Sequence, residues 1–203
     1  MLFNRLVSFG ALFATVAAQL VVPQVVLDHN DQVLMEPSPA DDFIRGPVLS
    51  DMLALESQAS IFFSYARESA VASGALSGLG EYGGNQYTVL VPTNKAIMAL
   101  SRKPHQLNSN DDVEITDEEA DRRSAEKVQR WISAHIIPAA VELKDGAQGV
   151  HQTLLDGKSL TFTHLKTSKS PEWTNWKVDD HAILAERKAS NGIMYLIDGA
   201  VEV

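Results

Sequence analysis

The chain has 203 residues, 45% hydrophobic and 21% charged, with a formal net charge of -9 at pH 7 and no cysteine. That length holds one ordinary domain plus a short extra segment. The acidic balance argues against nucleic acid and against attraction to anionic membranes, and the missing thiols exclude disulfides, cysteine nucleophiles and thiolate metal sites.

Residues 1–18 have the layout of a secretory signal peptide. Arg5 supplies a positive start, Leu6 to Ala18 is almost wholly apolar or small, and Val16 and Ala18 fit the small positions before a cut at Gln19. The run is too short for a comfortable membrane span, so no transmembrane anchor is expected in the mature chain. Residues 19–46, with Pro23, Pro37 and Pro39 among scattered acids, read as an extended linker.

A folded domain is expected over residues 47–203. Val48, Leu49, Met52 and Leu53 fall at helical spacing behind Pro47. A second helical run starts near Ser60, with Ile61, Phe62, Tyr65 and Ala66 on one face, and ends in a glycine-rich turn from Gly78 to Gly84. Tyr87 to Val91 reads as a strand that Pro92 stops, and Thr93 is placed to cap a helix from Asn94 to Leu100.

After a polar loop from Ser101 to Val113, Thr116 opens the clearest helix. Thr116 and Glu119 stand at capping-box spacing, Glu118 and Glu119 each precede an arginine by four residues, and Val128, Trp131, Ile132 and His135 form the apolar stripe that Pro138 ends. The remainder reads as strands. Thr153 to Leu155 and Ser159 to His164 flank the turn signal Asp156-Gly157, followed by Trp176 to Val178, Ala182 to Glu186 and Ile193 to Ile197. Helices first and strands later make an α+β domain.

Chemistry-bearing motifs are few. Gly78 to Gly83 has dinucleotide-loop spacing, but it follows a helix and precedes a strand, the reverse of what pyrophosphate binding needs. None of the six histidines makes close metal-ligand spacing, although His151 and His164 could meet across the hairpin. No catalytic, cofactor or metal residue is therefore assigned, and no cofactor is expected. Trp173 and Trp176 lie in a polar segment, either as a partner-binding pair or as cover for one edge of a small sheet.

Thr88-Val89-Leu90-Val91-Pro92-Thr93-Asn94-Lys95-Ala96-Ile97 is a strand, a proline stop and a capped helix. His135-Ile136-Ile137-Pro138, Thr153 to Lys158 and Asn191-Gly192-Ile193-Met194-Tyr195-Leu196-Ile197-Asp198-Gly199 follow in order. Together these segments resemble the signatures of the fasciclin-type domain, and Asn94 to Pro104 is similar to the fungal single-domain secreted or vacuolar branch. Ala134 stands at the family's tyrosine position, and Tyr195 where a histidine is common.

The resemblance implies a wedge of sheet packed by several helices, and a non-enzymatic adhesion or interaction module of the secretory pathway, cell wall or matrix. Its partner would be a protein or polysaccharide. The alternative is a soluble vacuolar or secretory-compartment protein with a small-molecule-binding or enzymatic role. The signature residues it singles out are Thr88, Pro92, Thr93, Asn94, His135, Pro138, Asn191 and Gly192. His135 is expected to be a core histidine bonded to the turn near Thr93 or Asn94. The loop Ser101 to Asp112 and the Trp173/Trp176 segment are the expected contact surfaces.

Overall fold

A computed structural model describes residues 46–79, 84–107, 116–144, 146–167 and 169–203, together with residues 26–27 and 33–34. The chain divides into two units between Phe43 and Ile44. Of the first unit, the described part is an antiparallel ladder of β1 (Val26–Leu27) and β2 (Val33–Leu34), within the segment expected to be linker. The expected signal peptide lies outside the described residues.

In the second unit, β3 (Tyr87–Pro92) and β9 (Gly192–Ile197) run parallel at the centre, from Tyr87 opposite Gly192 to Pro92 opposite Ile197. β4 (Ile136–Ile137) pairs on the far side of β3. Beyond β9 lie β8 (His181–Ala189), β7 (Trp176–Val178), β6 (Ser159–His164) and β5 (Gly149–Gln152), giving the order β4-β3-β9-β8-β7-β6-β5.

Every residue of β3 and β9 is buried, because both faces of these strands are covered. Val89, Val91, Met194 and Leu196 join one core with the helices. Leu90, Ile193, Tyr195 and Ile197 join a second with Ile137, Leu160, Phe162, Trp176 and Val178. Two-sided burial explains why both strands read as unbroken apolar runs, without the alternation of a half-exposed strand.

The helices are α1 (Leu49–Leu55), α2 (Ser60–Glu68), α3 (Ala70–Ser77), α4 (Asn94–Ala99) and α5 (Asp117–Ser133). The α+β class is as expected, but β3 rises among the helices and pairs with the last strand. The long second helical run is broken at Ser69. Its backbone is extended, and its hydroxyl accepts from the Ala72 N–H to start α3 afresh. Gly78 ends α3 in the left-handed region at φ 63°, the conformation glycine adopts without strain.

Thr93 caps α4 as expected, accepting from the Ala96 N–H, and Thr116 caps α5 by accepting from the Glu119 N–H. Of the two expected arginine pairs, Glu119 with Arg123 forms, while Arg122 turns to Glu119 and Glu126 in place of Glu118. Glu119 takes both Arg122 and Arg123, which holds its carboxyl below the usual range, and Arg122 also reaches Glu126. Pro138 does not end α5. The helix stops at Ser133, turns through Ala134 and His135 and becomes β4 before the proline arrives.

Two further expectations need correction. Thr153 to Leu155 belong to the turn, not the strand, which is Gly149–Gln152. The Thr153 hydroxyl donates to the Lys158 carbonyl and accepts from the Leu155 N–H, closing the turn with a local side-chain bond. The register then places His151 opposite Leu160, so His151 and His164 do not meet. Their rings pack on Phe162 and Trp176 respectively.

Candidate functional site

The first signature segment is consumed by the fold. The Thr88 hydroxyl donates to the Ala139 carbonyl at 2.7 Å and accepts from the Val141 N–H at 2.8 Å. Tyr195 is fully buried, and its hydroxyl donates to the Val141 carbonyl at 2.8 Å, so two adjacent strands sew down the segment after β4. Burial drives the Tyr195 phenol well above its ordinary range, which keeps it a neutral donor. Pro92 closes β3 opposite Ile197, and the Thr93 N–H continues the ladder to the Ile197 carbonyl.

Asn94 bonds outward from the start of α4. Its Oδ1 accepts from the Ile61 N–H at 2.9 Å, and its Nδ2 donates to the Ser57 carbonyl and the Ser60 hydroxyl. It thus satisfies one orphan amide of α2, a helix it does not belong to. Asn94→Ala is expected to lower stability by about 1–2 kcal/mol in urea unfolding, the usual cost of losing such a cap. An unchanged midpoint would remove Asn94 from this role.

His135 is fully buried. Its Nδ1 lies 2.8 Å from the Trp131 carbonyl and its Nε2 lies 3.1 Å from the Val201 N–H. A carbonyl only accepts and an amide only donates, so the ring is the neutral tautomer with the proton on Nδ1. Burial holds its pKa down at about 4, and the Trp131 and Phe62 rings pack against it at 4.4 and 5.5 Å. Its backbone carbonyl also accepts from the Leu90 N–H. His135 is a core histidine, as expected, but its partners are the end of α5 and the segment after β9, not Thr93 or Asn94. With both nitrogens bonded internally it has none for a substrate or metal.

Asn191 and Gly192 form the second staple. The Asn191 Oδ1 accepts from the Leu49 N–H at 2.8 Å, and its Nδ2 donates to the Ala75 and Leu76 carbonyls at 3.1 and 3.0 Å. One side chain therefore satisfies the start of α1 and the end of α3, while the Asn191 carbonyl accepts from the Tyr87 N–H. Pro138, by contrast, is exposed and caps nothing in α5.

The tryptophan pair is not a surface pair. Trp176 is 4% exposed and alternates with Lys177 along β7, so period-two spacing sends it and Val178 into the second core. Trp173 stands in the 3-10 turn Glu172–Asn175 and is half-buried against the same core.

The described part of the expected contact loop, residues 101–107, does form a surface. It walls an open cleft of about 680 Å³ whose other side is α5 and the segment after β9. Arg102, Lys103, Lys127 and Arg130 line it, and among the described residues Glu202 is the acid that does. Lysine and arginine cannot be read as one patch when they lie on a loop and a helix far apart in sequence. The available signal was the pair Lys127 and Arg130, one turn apart on one face of α5.

The family model of the fasciclin domain matches residues 57–202. A FAS1 domain-containing protein of Aspergillus fumigatus is 33% identical over 101 residues, covering 46% of this chain and 41% of that protein. The chain thus spans less than half the length of that curated relative. A solved FAS1 domain pair from the insect cell adhesion molecule fasciclin I is similar at a TM-score of 0.49 and 10% identity, over 77% of this chain and 51% of that one. Among the described residues, no helix is long and apolar enough to cross a membrane.

Proposed function

We propose, proceeding from the fact that this chain belongs to the fasciclin domain family, that it is a non-enzymatic interaction module acting at a cell-wall, matrix or secretory-organelle surface. One observation carries the reading. The polar signature side chains that a reactive site would need, Thr88, Thr93, Asn94, His135 and Asn191, spend their hydrogen bonds on helix ends and strand junctions. What the domain offers a partner is its outer surface, above all the cleft beside α5.

The partner in this reading is a protein or polysaccharide displayed in many copies. A single domain with one open cleft binds modestly, and display on both sides raises the avidity without any new contact. The test is co-sedimentation of the purified chain with wall and membrane fractions of the source cells. Saturable binding to the wall fraction supports the module; no saturable binding to either fraction overturns it.

A further inference from the structure

We infer that residues 199–203, the segment after β9, are an acid-released wall of the cleft beside α5. His135 holds the segment at neutral pH and lets it go when the ring takes up a second proton. Partner binding at the cleft then stops in acid, a control that rests on the interaction-module reading.

Residues 199–203 form no helix or strand, yet Ala200 and Val201 are buried, one in each core. Val201, Glu202 and Val203 line the cleft together with Trp131. Asp198 fixes the root of the segment, its N–H donating to the Ala182 carbonyl and its Oδ1 accepting from the Ala182 N–H. Beyond that root, two histidines meet the segment. Gly199 lies against the His181 ring, where an added Cβ would come 2.0 Å from Nδ1. The Val201 N–H donates to the His135 Nε2 at 3.1 Å. The segment can therefore lift beyond Asp198 and leave β9 paired with β3 and β8.

The release turns on one lone pair. With its proton on Nδ1, held by the Trp131 carbonyl, the ring offers Val201 an acceptor. A second proton makes Nε2 a donor aimed at another donor, and puts a charge in a fully buried site. The surroundings do not offset that charge. α5 and α2 bring the rings of Trp131 and Phe62, β8 brings His181, and Lys158 approaches from the turn before β6. Among the described residues, His181 and Lys158 are the ionisable neighbours, and both disfavour the imidazolium. Trp131 and Phe62 stand in helices that carry the first core, so the segment is the side that yields.

The pH window follows by linkage. Closed, the site holds the His135 pKa at about 4, while a ring in water titrates at the ordinary 6.5. The closed form is thus favoured above pH 6.5 and loses ground as pH falls toward 4. Between pH 7 and pH 5 the lifted form gains about 20-fold over it.

The test is amide exchange of the purified chain, read residue by residue by NMR from pH 7 to pH 5. Each rate is divided by that of an unstructured peptide at the same pH. Expected is a Val201 amide that exchanges far faster than the β9 amides and loses about 20-fold in protection across that range. His135→Gln keeps an oxygen for Val201 but does not titrate, and should hold the protection constant. Should that variant not fold, the wild-type rates alone decide. A Val201 amide no faster than β9 would mean that the segment leaves only on unfolding, and protection independent of pH would remove His135 as its release. Either result overturns the inference.

Co-sedimentation with the wall fraction at pH 7 and pH 5 reads the control of binding. Wild type should bind at least about tenfold more weakly at pH 5, and His135→Gln equally at both. Val201→Pro, which has no N–H to give, should bind weakly already at pH 7. Segment release with wild-type binding unchanged overturns the control of the cleft. If no fraction is bound at either pH, the module reading and the control of binding fail together, while the Val201 amide still decides the release.

Discussion

Gly192→Ala will lower folding stability by on the order of 4 kcal/mol, read as a large fall in the urea midpoint. The Cβ that alanine adds would lie 2.0 Å from the Tyr87 carbonyl oxygen and 2.9 Å from the Tyr87 carbonyl carbon and amide nitrogen. These are backbone atoms of the central strand, so no flexible side chain can move aside. The backbone at Gly192 also sits at φ +153°, which L-residues rarely adopt. Relief requires the start of β9 to leave β3, and with it the Tyr87 N–H bond to Asn191 and the staple between α1 and α3. Gly46→Ala serves as the control, since nothing lies within 4 Å of its added carbon. A loss at Gly192 no larger than the control's would mean that β3 and β9 do not meet there.

The second large effect is an acid sensitivity from His135. Burial depresses its folded pKa from the ordinary 6.5 to about 4, so the unfolded chain binds more protons between those values. Its contribution is therefore fully present above about pH 6.5, is lost as pH falls toward 4, and changes no further below that. The size of the shift corresponds to about 3 kcal/mol across the window. His135→Phe should lose about 2 kcal/mol at neutral pH, because the Trp131 carbonyl and the Val201 N–H each lose a buried partner. It should also flatten the acid slope. Carboxylates such as Glu119 add their own acid loss, so the wild-type curve minus the variant curve is the quantity to read. Parallel curves for the two proteins from pH 6.5 to 4 would refute the role given to His135.

Short-range chemistry was legible in the chain. Thr93 and Thr116 announce their helices because a hydroxyl needs only an amide three residues on. The stripe of Val128, Trp131, Ile132 and His135 is buried as its spacing demands. Features that depend on distant partners were not legible. The His135 acceptor nitrogen finds Val201, and Asn191 finds Leu49, across separations that no local pattern encodes. The break at Ser69 hid because one extended residue inside an apolar helical pattern leaves the periodicity nearly intact.

The candidate surface divides in the same way. That residues 101–107 face outward follows from their polarity. That they meet Lys127 and Arg130 across a cleft follows only from the route of α5 over the helical core. The tryptophans show the opposite case, where local spacing held the answer. Trp176-Lys177-Val178 alternates as a half-buried strand does, which favours sheet cover over a partner-binding role for Trp176.

The parallel pairing of β3 with β9 also sets a timetable for the growing chain. β3 is made before the other strands of its sheet, but its neighbour β9, Gly192 to Ile197, is made after them. Until then the core beneath α1, α2 and α3 lacks Met194, Leu196 and Ala200. Closing so long a loop comes before most long-range contacts can compensate for it, which slows folding and leaves sticky surface exposed in the interval. Any stall or truncation ahead of β9 should therefore leave a chain that chaperones hold and proteases clear.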